Sequence, residues 1–405
     1  MPSKKPSLWP LVAMQMITAM GFSLALPFLS LYLVQRRGMA MSLVGTVMLG
    51  AAFASAAGQF LGGMGADRLG RRLTLASALA LRIAAFSALG ILMYTNGPIY
   101  AIVLLFLLVR VSGGLAMPAV SALVADLTEE NRIEGYGLLR VGGNIGWGAG
   151  PALGGFLATF LPYSHLFLLA AGATVLALFL AVGLIQEPGK IKISSERGLF
   201  AAFRDPGLLI FLALAFPVFL LAGQLVSTLS IFTVEKLGLS TAQFGGLLTL
   251  NGFLVAVAQY PLARLSERWR RSRVLALGAF LYGLGYLSLG WVRAYPLLLG
   301  SMVVITSGEM LFAPASSATV AELAPSHARG RYLGALGLGE SFGASAGPFL
   351  GGLLLDFVPS APLLWGALAS LGFLATGLFL GGGEGLYGAL QKKAARTLDE
   401  KEGRA

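Results

Sequence analysis

Arg110, Glu309 and Glu340 are ionisable side chains that stand inside long apolar stretches of the sequence. A charge at the middle of a membrane costs about 2.5–3.5 kcal/mol on insertion scales, so we expect Arg110 to face a cavity and to have a partner. A carboxyl group that alternates between apolar protein and water can take up and release a proton, whereas an arginine stays protonated near neutral pH. Glu309 is therefore the first candidate for a proton carrier, and Glu340 is the second.

The distribution of these charges admits two interpretations. Arg82 and Arg140 add positive charge inside the N-terminal half, while both candidate acids lie in the C-terminal half. This separation predicts an Arg–Glu pairing across a shared cavity in one state of the protein. Alternatively, Arg110 is a structural arginine bonded to backbone carbonyls, and Glu340 bonds a neighbouring helix.

The composition excludes most classes of soluble protein. Of 405 residues, 56% are hydrophobic and 12% are charged, and the mean hydropathy is +0.79, whereas a typical soluble domain has about 25% charged residues. Cysteine is absent and there are two histidines, which argues against disulfides and metal sites. The sequence contains no nucleotide-binding loop. We therefore expect a membrane protein that is not an enzyme, with no metal, no bound cofactor and no nucleic-acid partner despite its net charge of +11.

Twelve apolar stretches are long enough to cross a membrane as a helix, for which about 20 residues are needed. They lie at 8–34, 42–66, 73–95, 98–124, 134–160, 164–185, 207–234, 241–265, 274–293, 296–322, 331–356 and 362–384. Most lysines and arginines fall in the breaks that are cytoplasmic if the N-terminus is, which agrees with the positive-inside rule. We therefore predict a multi-pass protein of the plasma or inner membrane with both termini in the cytoplasm.

The longest polar break separates six spans from six. The predicted organisation is an N-terminal six-helix bundle at 1–185, a cytoplasmic linker at 186–206, a C-terminal six-helix bundle at 207–386 and a cytoplasmic tail at 387–405.

A glycine–proline pattern occurs once in each half. In the fifth span it consists of Gly137, Gly146, Gly150, Pro151, Gly154 and Gly155. The same spacing returns in the eleventh span, from Gly334 to Gly352. Small residues let helices pack closely, and proline bends a helix. Two halves of equal topology imply a pseudo-two-fold axis along the membrane normal, with substrate bound near the midplane between them.

Three segments together resemble one family. Residues 63–72, GMGADRLGRR, are similar to the loop motif G-x-x-x-D-R-x-G-R-[KR] of the major facilitator superfamily. Arg110 begins a segment similar to the family's embedded R-x-x-Q-G, although Gly113 replaces the usual glutamine. The fifth-span pattern, which the family associates with antiport, is complete. Over nearly its whole length the chain resembles the twelve-span drug:proton antiporters of this superfamily.

The resemblance implies an all-α integral membrane protein with twelve transmembrane helices in two pseudo-symmetric six-helix bundles, which is the major facilitator fold. It implies export of a small amphipathic or lipophilic molecule by alternating access, with the proton gradient as the energy source. It also implies a role for Arg110 in proton coupling, and for the fifth-span glycines in sealing the cavity against proton leak. We expect a monomer in the lipid bilayer whose partners are its substrate and protons. The alternatives are a proton-coupled importer or sugar carrier, a lipid translocase of the same fold and a non-transporting receptor.

The loop motif also predicts a conformational latch. Its residues are Gly63, Asp67, Arg68, Gly70, Arg71 and Arg72, with Asp126 at the end of the fourth span as a further partner for Arg71. Charge-assisted hydrogen bonds among them would latch the halves on the cytoplasmic side and would break when that side opens. The alternative is a basic loop that only sets topology.

By resemblance, spans 1, 4, 7 and 10 form the walls of the substrate cavity. The candidate cavity residues are Met14, Gln15, Met16, Arg140, Asn144, Gln224, Ser227 and Asn251. Methionine and aromatic side chains repack around varied apolar ligands, which favours a lipophilic or mixed substrate over a sugar.

Overall fold

The structure, a computed structural model, describes residues 8–128, 132–185, 199–266, 268–325 and 328–381. The predicted tail at 387–405, and residues 186–198 of the predicted linker, lie outside the described residues.

The elements within these ranges are chiefly α-helices. They are α1 Trp9–Gln35, α2 Met41–Arg68, α3 Arg71–Tyr94, α4 Ile99–Leu127, α5 Arg132–Leu157, α6 Tyr163–Leu184, α7 Pro206–Ala222, α8 Thr228–Ile231, α9 Thr241–Ser266, α10 Arg271–Ser288, α11 Tyr295–Leu323, α12 Arg329–Phe357 and α13 Ala361–Gly381. The predicted seventh span, 207–234, is interrupted: α7 ends in a 3-10 turn at Gly223–Leu225, and α8 follows after a short break.

The described helices have the length and apolar surface of membrane spans. Ten helical segments among the described residues are long and apolar enough to cross a membrane. The other two predicted spans correspond to α5 and α12, which have 26 and 29 residues but are rich in glycine and therefore less apolar. Large apolar side chains such as Leu104 and Phe179 are 62% and 71% exposed, which suits contact with lipid.

Contacts between helices divide the chain into two compact units. The first unit lies within Met1–Ser194, Leu225–Ala256 and Pro348–Leu353, and the second lies within Ser195–Gln224, Val257–Gly347 and Leu354–Ala405. Grouping by contact differs from the division by repeat, so the bundles at 1–185 and 207–386 stay a prediction.

Within the first unit, α1 packs along α5 and α6, α2 packs along α4, and α3 packs against α4 and α6. Part of its core consists of buried aliphatic residues, among them Leu11, Leu75, Leu79 and Leu123.

Within the second unit, α10 packs against α11 and α13. Helix α10 is the third long span of its half, as α3 is of the first half, so the same neighbours recur in the repeat. Tyr286 of α10 stacks on Trp365 of α13 with 5.7 Å between ring centroids. Both side chains are fully buried, and they form the aromatic part of this unit's core.

Glycine lets α5 approach the backbone of α1. Gly146 and Gly150 lie so close to α1 that a Cβ atom at either position would overlap the carbonyl oxygen of Met16 or Met20, respectively. Gly154, four residues further on, meets the carbonyl of Leu24 in the same way. The repeat of four residues therefore places a row of glycines along one face of α5.

A hydrogen bond reinforces the close helix pair in each half. Ser23 Oγ lies 3.3 Å from the carbonyl oxygen of Gly146, and Gln224 Nε2 donates to the carbonyl of Gly347 over 2.8 Å. Ser23 lies on α1 and Gln224 lies in the 3-10 turn that follows α7, and each reaches a glycine of the fifth long helix of its half. Gln224 and Ser23 are both fully buried, so each bond also satisfies a buried polar group.

We predict that the same substitution has opposite effects at two positions of α5. Gly146→Ala forces a Cβ atom against backbone, and overpacking of this kind costs about 1–3 kcal/mol. Gly137→Ala meets no atom within 4 Å and gains about 0.5–1 kcal/mol of helix propensity. Thermal unfolding of the purified protein in detergent should show a lowered Tm for the first variant and an unchanged or raised Tm for the second. Equal Tm values would contradict the close contact.

Candidate functional site

The first unit contains a cavity of about 260 Å³. Helices α1 to α5 all contribute side chains to its wall. The lining residues used below are Met14, Gln15, Phe22, Ser55, Arg82, Arg110, Gly113, Met117 and Trp147. Three of the predicted site residues, Met14, Gln15 and Arg110, are therefore brought together in one cavity.

Arg110 reaches this cavity without a bonded partner. Its guanidinium carbon lies 5.4 Å from the centroid of the Phe22 ring, which is a cation–π geometry. Its Nε atom is buried and has no hydrogen-bond partner. Among the described residues, no backbone carbonyl and no carboxylate bonds to Arg110, so the structural-arginine alternative finds no support there. The predicted partner, Glu309, falls in the other unit, and the pairing stays a prediction.

The rings beside Arg110 form a second feature of the wall. Phe22 stacks on Trp147 with 5.9 Å between centroids and 19° between planes. Trp147 is 41% exposed. The two rings come from α1 and α5, which the glycine contacts described above hold together. The predicted cavity residues did not include either ring, since an aromatic residue in apolar sequence is usually core or lipid-facing.

Arg82 is the other cation of the cavity. Its Nε atom lies 3.4 Å from Ser112 Oγ, which in turn donates to the carbonyl of Val109 over 2.7 Å. A Cβ atom built on Gly113 would stand 3.0 Å from the Arg82 Nη2 atom. Gly113, where the family's glutamine is missing, therefore leaves room for the Arg82 side chain. The sequence marked Arg82 only as a cation within a span.

The remaining predicted cavity residues lie elsewhere. Arg140 and Asn144 are exposed, and Met16 and Asn251 are partly buried, but none of them lines this cavity. Gln224 bonds Gly347 as described, and Ser227 Oγ lies 3.0 Å from Ser30 Oγ in a buried pair. The structure gives these two residues a packing contact, and a substrate contact stays a prediction for all six.

The two candidate acids share a tyrosine neighbour in the second unit. Tyr282 of α10 is buried and lies within electrostatic reach of the carboxylates of both Glu309 and Glu340. The approach of α10 to α11 is close, because a Cβ atom on Gly308 would stand 2.8 Å from the Tyr282 nitrogen. Both acids are partly accessible. A role of either carboxyl group in carrying a proton stays a prediction.

The loop motif begins α3 and carries one ion pair. Gly70 has a φ of +92°, a left-handed value that favours glycine, and it directly precedes α3. Arg71 pairs with Asp126, whose side chain is 24% exposed. Asp67 and Arg68 are exposed. The structure thus brings Arg71 and Asp126 together, and the latch stays a prediction.

Other motif residues have separate surroundings. Arg72 donates a hydrogen bond to the carbonyl of Val182, while Gly63 has no neighbour within 4 Å of a built Cβ atom. Gly155 of α5 lies against Gly245 of α9, and the carbonyl of Pro151 lies close to the same Gly245. The fifth-span pattern thus packs against two helices of the first unit. Its role in sealing the cavity stays a prediction.

The second unit repeats the ion pair. Arg271 at the start of α10 pairs with Glu322 near the end of α11, with 3.6 Å between Nε and Oε1. The positions correspond to Arg71 and Asp126 in the repeat. The second pair is more exposed, since the Glu322 side chain is 50% accessible.

The family model and the similar proteins point to the same family. A family model described as the Major Facilitator Superfamily matches residues 11–245 and 224–397. The chain is 26% identical over 358 residues to the uncharacterized MFS-type transporter YttB of Bacillus subtilis (strain 168), covering 85% of this chain and 87% of the relative. It is 28% identical over 395 residues to the multidrug resistance protein MdtH of Shigella dysenteriae serotype 1, covering 96% and 95%.

A solved structure has the same fold. The crystal structure of the nucleoside transporter NupG superposes with a TM-score of 0.75 at 14% sequence identity, covering 92% of this chain and 98% of that one. At this identity the likeness concerns the fold alone.

We predict that the two ion pairs differ in strength. Arg71→Gln, Asp126→Asn and their combination form a double-mutant cycle, and Arg271→Gln with Glu322→Gln forms the matched control. The better buried first pair should show a coupling of about 0.5–3 kcal/mol, and the exposed second pair about 0.2–1 kcal/mol. Unfolding free energies in mixed detergent micelles give both values. A first pair that couples no more strongly than the second would contradict the importance of its burial.

Proposed function

The chain belongs to the Major Facilitator Superfamily of membrane transporters, and we propose that it exports a small amphipathic molecule in exchange for protons by alternating access. The family assignment agrees with the resemblance of its loop and fifth-span motifs. The relative named as a multidrug resistance protein supports export of an amphipathic substrate. We propose a monomer in the cytoplasmic membrane, with both termini in the cytoplasm and no enzymatic activity.

The cavity of the first unit is the observation that carries the proposal. Its wall combines Met14, Met117 and Trp147 with few polar side chains, chiefly Gln15 and Ser55 besides the arginines. Thioether and aromatic groups adapt to apolar bodies of different shape. The hydroxyl groups of a sugar need acceptors as well as donors on all sides, whereas the arginines of this wall only donate and most of its other side chains are apolar. The cavity therefore favours an amphipathic molecule over a sugar.

Proton coupling rests on the acids of the second unit. Glu309 and Glu340 both lie within electrostatic reach of the buried Tyr282, and both are partly accessible. A carboxyl group in this position can take a proton when water reaches it and release the proton when its surroundings change. An importer that moves substrate together with protons would use the same residues, so the direction of coupling needs a transport assay.

Proteoliposomes with an acidic lumen and a trapped pH-sensitive dye test the proposal. The probes share one aromatic body and differ in charge: naphthalene sulfonate, naphthalene sulfonamide and naphthylmethyl trimethylammonium. An antiporter that carries a probe inward should raise the lumenal pH in the presence of protein, and protein-free liposomes give the background. Co-uptake of a probe with protons would instead show an importer, and flipping of a lipid probe without flux of any soluble probe would show a translocase.

We predict that Glu309→Gln reduces probe-dependent proton release to background, because the neutral amide holds no exchangeable carboxyl proton. Exchange of probe across the membrane without a gradient should persist. Asp356→Asn is the matched control, since it removes an exposed acid from the end of α12 and should leave release within about twofold of the original, a difference under 0.5 kcal/mol. Full gradient-driven release in both Glu309→Gln and Glu340→Gln would contradict proton coupling through these acids.

A further inference from the structure

We propose that the cavity of the first unit is built for an organic anion, whose carboxylate or sulfonate binds Arg82 and Arg110 while its aromatic body lies against Trp147. The proposal names the substrate class of this cavity and in that sense rests on the proposed function.

The charge of the wall is the first argument. Arg82 and Arg110 both line the cavity, and none of its lining residues within the described chain is an aspartate or a glutamate. Both arginines therefore place positive charge in the wall of one cavity. Two like charges in an apolar wall are unfavourable because they repel each other and have no oppositely charged partner. An anion bound between them removes both costs.

Unused hydrogen-bond donors are the second argument. Each guanidinium carries several N–H groups in a planar fork that matches the oxygens of a carboxylate or sulfonate. Arg82 uses its Nε atom on Ser112. The buried Nε atom of Arg110 has no acceptor at all. A buried donor without an acceptor is uncommon in folded proteins, and Arg110, the residue that carries it, lines the cavity.

Gly113 also supports the proposal, because the space that it leaves open is where the Arg82 side chain lies. The Nη2 atom of Arg82 stands 3.0 Å from the Cβ position of residue 113. A longer side chain at this position, such as the glutamine of the related motif, would compete with Arg82 for the same space. The change to glycine therefore permits the second cation, and it makes residue 113 a determinant of specificity.

The aromatic wall selects the body of the anion. Phe22 contacts both the Arg110 guanidinium and the Trp147 ring. The exposed part of Trp147 then offers a surface on which a ring can stack. The volume of about 260 Å³ lies just below the range of about 300–1,000 Å³ for small-molecule sites. These features favour a compact aromatic acid over an inorganic anion or a large multi-ring compound.

Equilibrium binding to the full-length protein in nanodiscs of neutral lipid tests the proposal. The probes are naphthalene sulfonate, naphthalene sulfonamide and naphthylmethyl trimethylammonium, measured by isothermal titration calorimetry. We expect the sulfonate to bind at least about tenfold more tightly than the other two. Equal affinity for all three, or preference for the cation, would overturn the proposal.

The variants locate the site. Arg82→Gln, Arg110→Gln and Gly113→Gln should each weaken sulfonate binding by about tenfold or more, and Gly113→Gln does so without any loss of charge. Arg293→Gln, which removes an exposed arginine of the second unit, should change the affinity by less than about twofold. A monodisperse elution profile and an unchanged Tm show that each variant is folded. Unchanged affinity in folded Arg82→Gln and Gly113→Gln would place the anion elsewhere and overturn the proposal.

Two competitors separate the sources of the anion. Inorganic sulfate should compete only at much higher concentration than the naphthalene sulfonate, and equal competition would reduce the site to a simple anion site. Nanodiscs that contain phosphatidylglycerol should leave the affinity unchanged, and a strong loss would identify a lipid headgroup as the occupant.

If the sulfonate binds as expected but no probe releases protons, the proposed function fails and the anion site stands. If a cationic probe releases protons and the sulfonate does not bind, the proposed function stands and the anion site fails.

Discussion

Positive charge held inside an apolar helical unit is the constraint on which the rest of this site depends. Arg82 and Arg110 cannot lose their protons near neutral pH, so the protein must give them water, a ring face or an anion. The structure gives Arg110 a ring face through Phe22, and the cavity gives both arginines space for water. The lack of a bonded carboxylate among the described residues leaves the third to a ligand.

Close packing of the helices fixes the shape of this cavity. Gly58 and Gly62 of α2 lie against the carbonyls of Val111 and Leu115 on α4, so the helix that carries Arg110 is held backbone to backbone. The glycines of α5 do the same for α1, which carries Phe22. Small residues at these contacts let the helix backbones approach closely. The rows of glycine thus set the positions of the cation and the ring, although they touch no ligand themselves.

The sequence predicts the helices and part of the site for physical reasons. Long apolar stretches must form helices in lipid because every backbone polar group needs an internal partner, and the described helices agree. Arg110 was identifiable because charge is rare at that depth, and the contact of Arg71 with Asp126 was predicted because both residues lie at the ends of predicted spans. Arg82 was not assigned to the site, since its position depends on the side chain that Gly113 lacks. Gln224 was expected at a cavity, but its amide bonds a backbone carbonyl that only the folded chain brings near.

The most direct test is whether the cavity attracts anions more than cations. Because the chain has no cysteine, a single thiol can be introduced to measure this preference. Ser55→Cys places one thiol in the cavity wall, and Thr95→Cys places one at an exposed helix end. The account predicts that a methanethiosulfonate bearing a sulfonate reacts faster than one bearing a trimethylammonium group at position 55, relative to the same ratio at position 95. Equal ratios at the two positions, or a faster cationic reagent at position 55, would contradict the account.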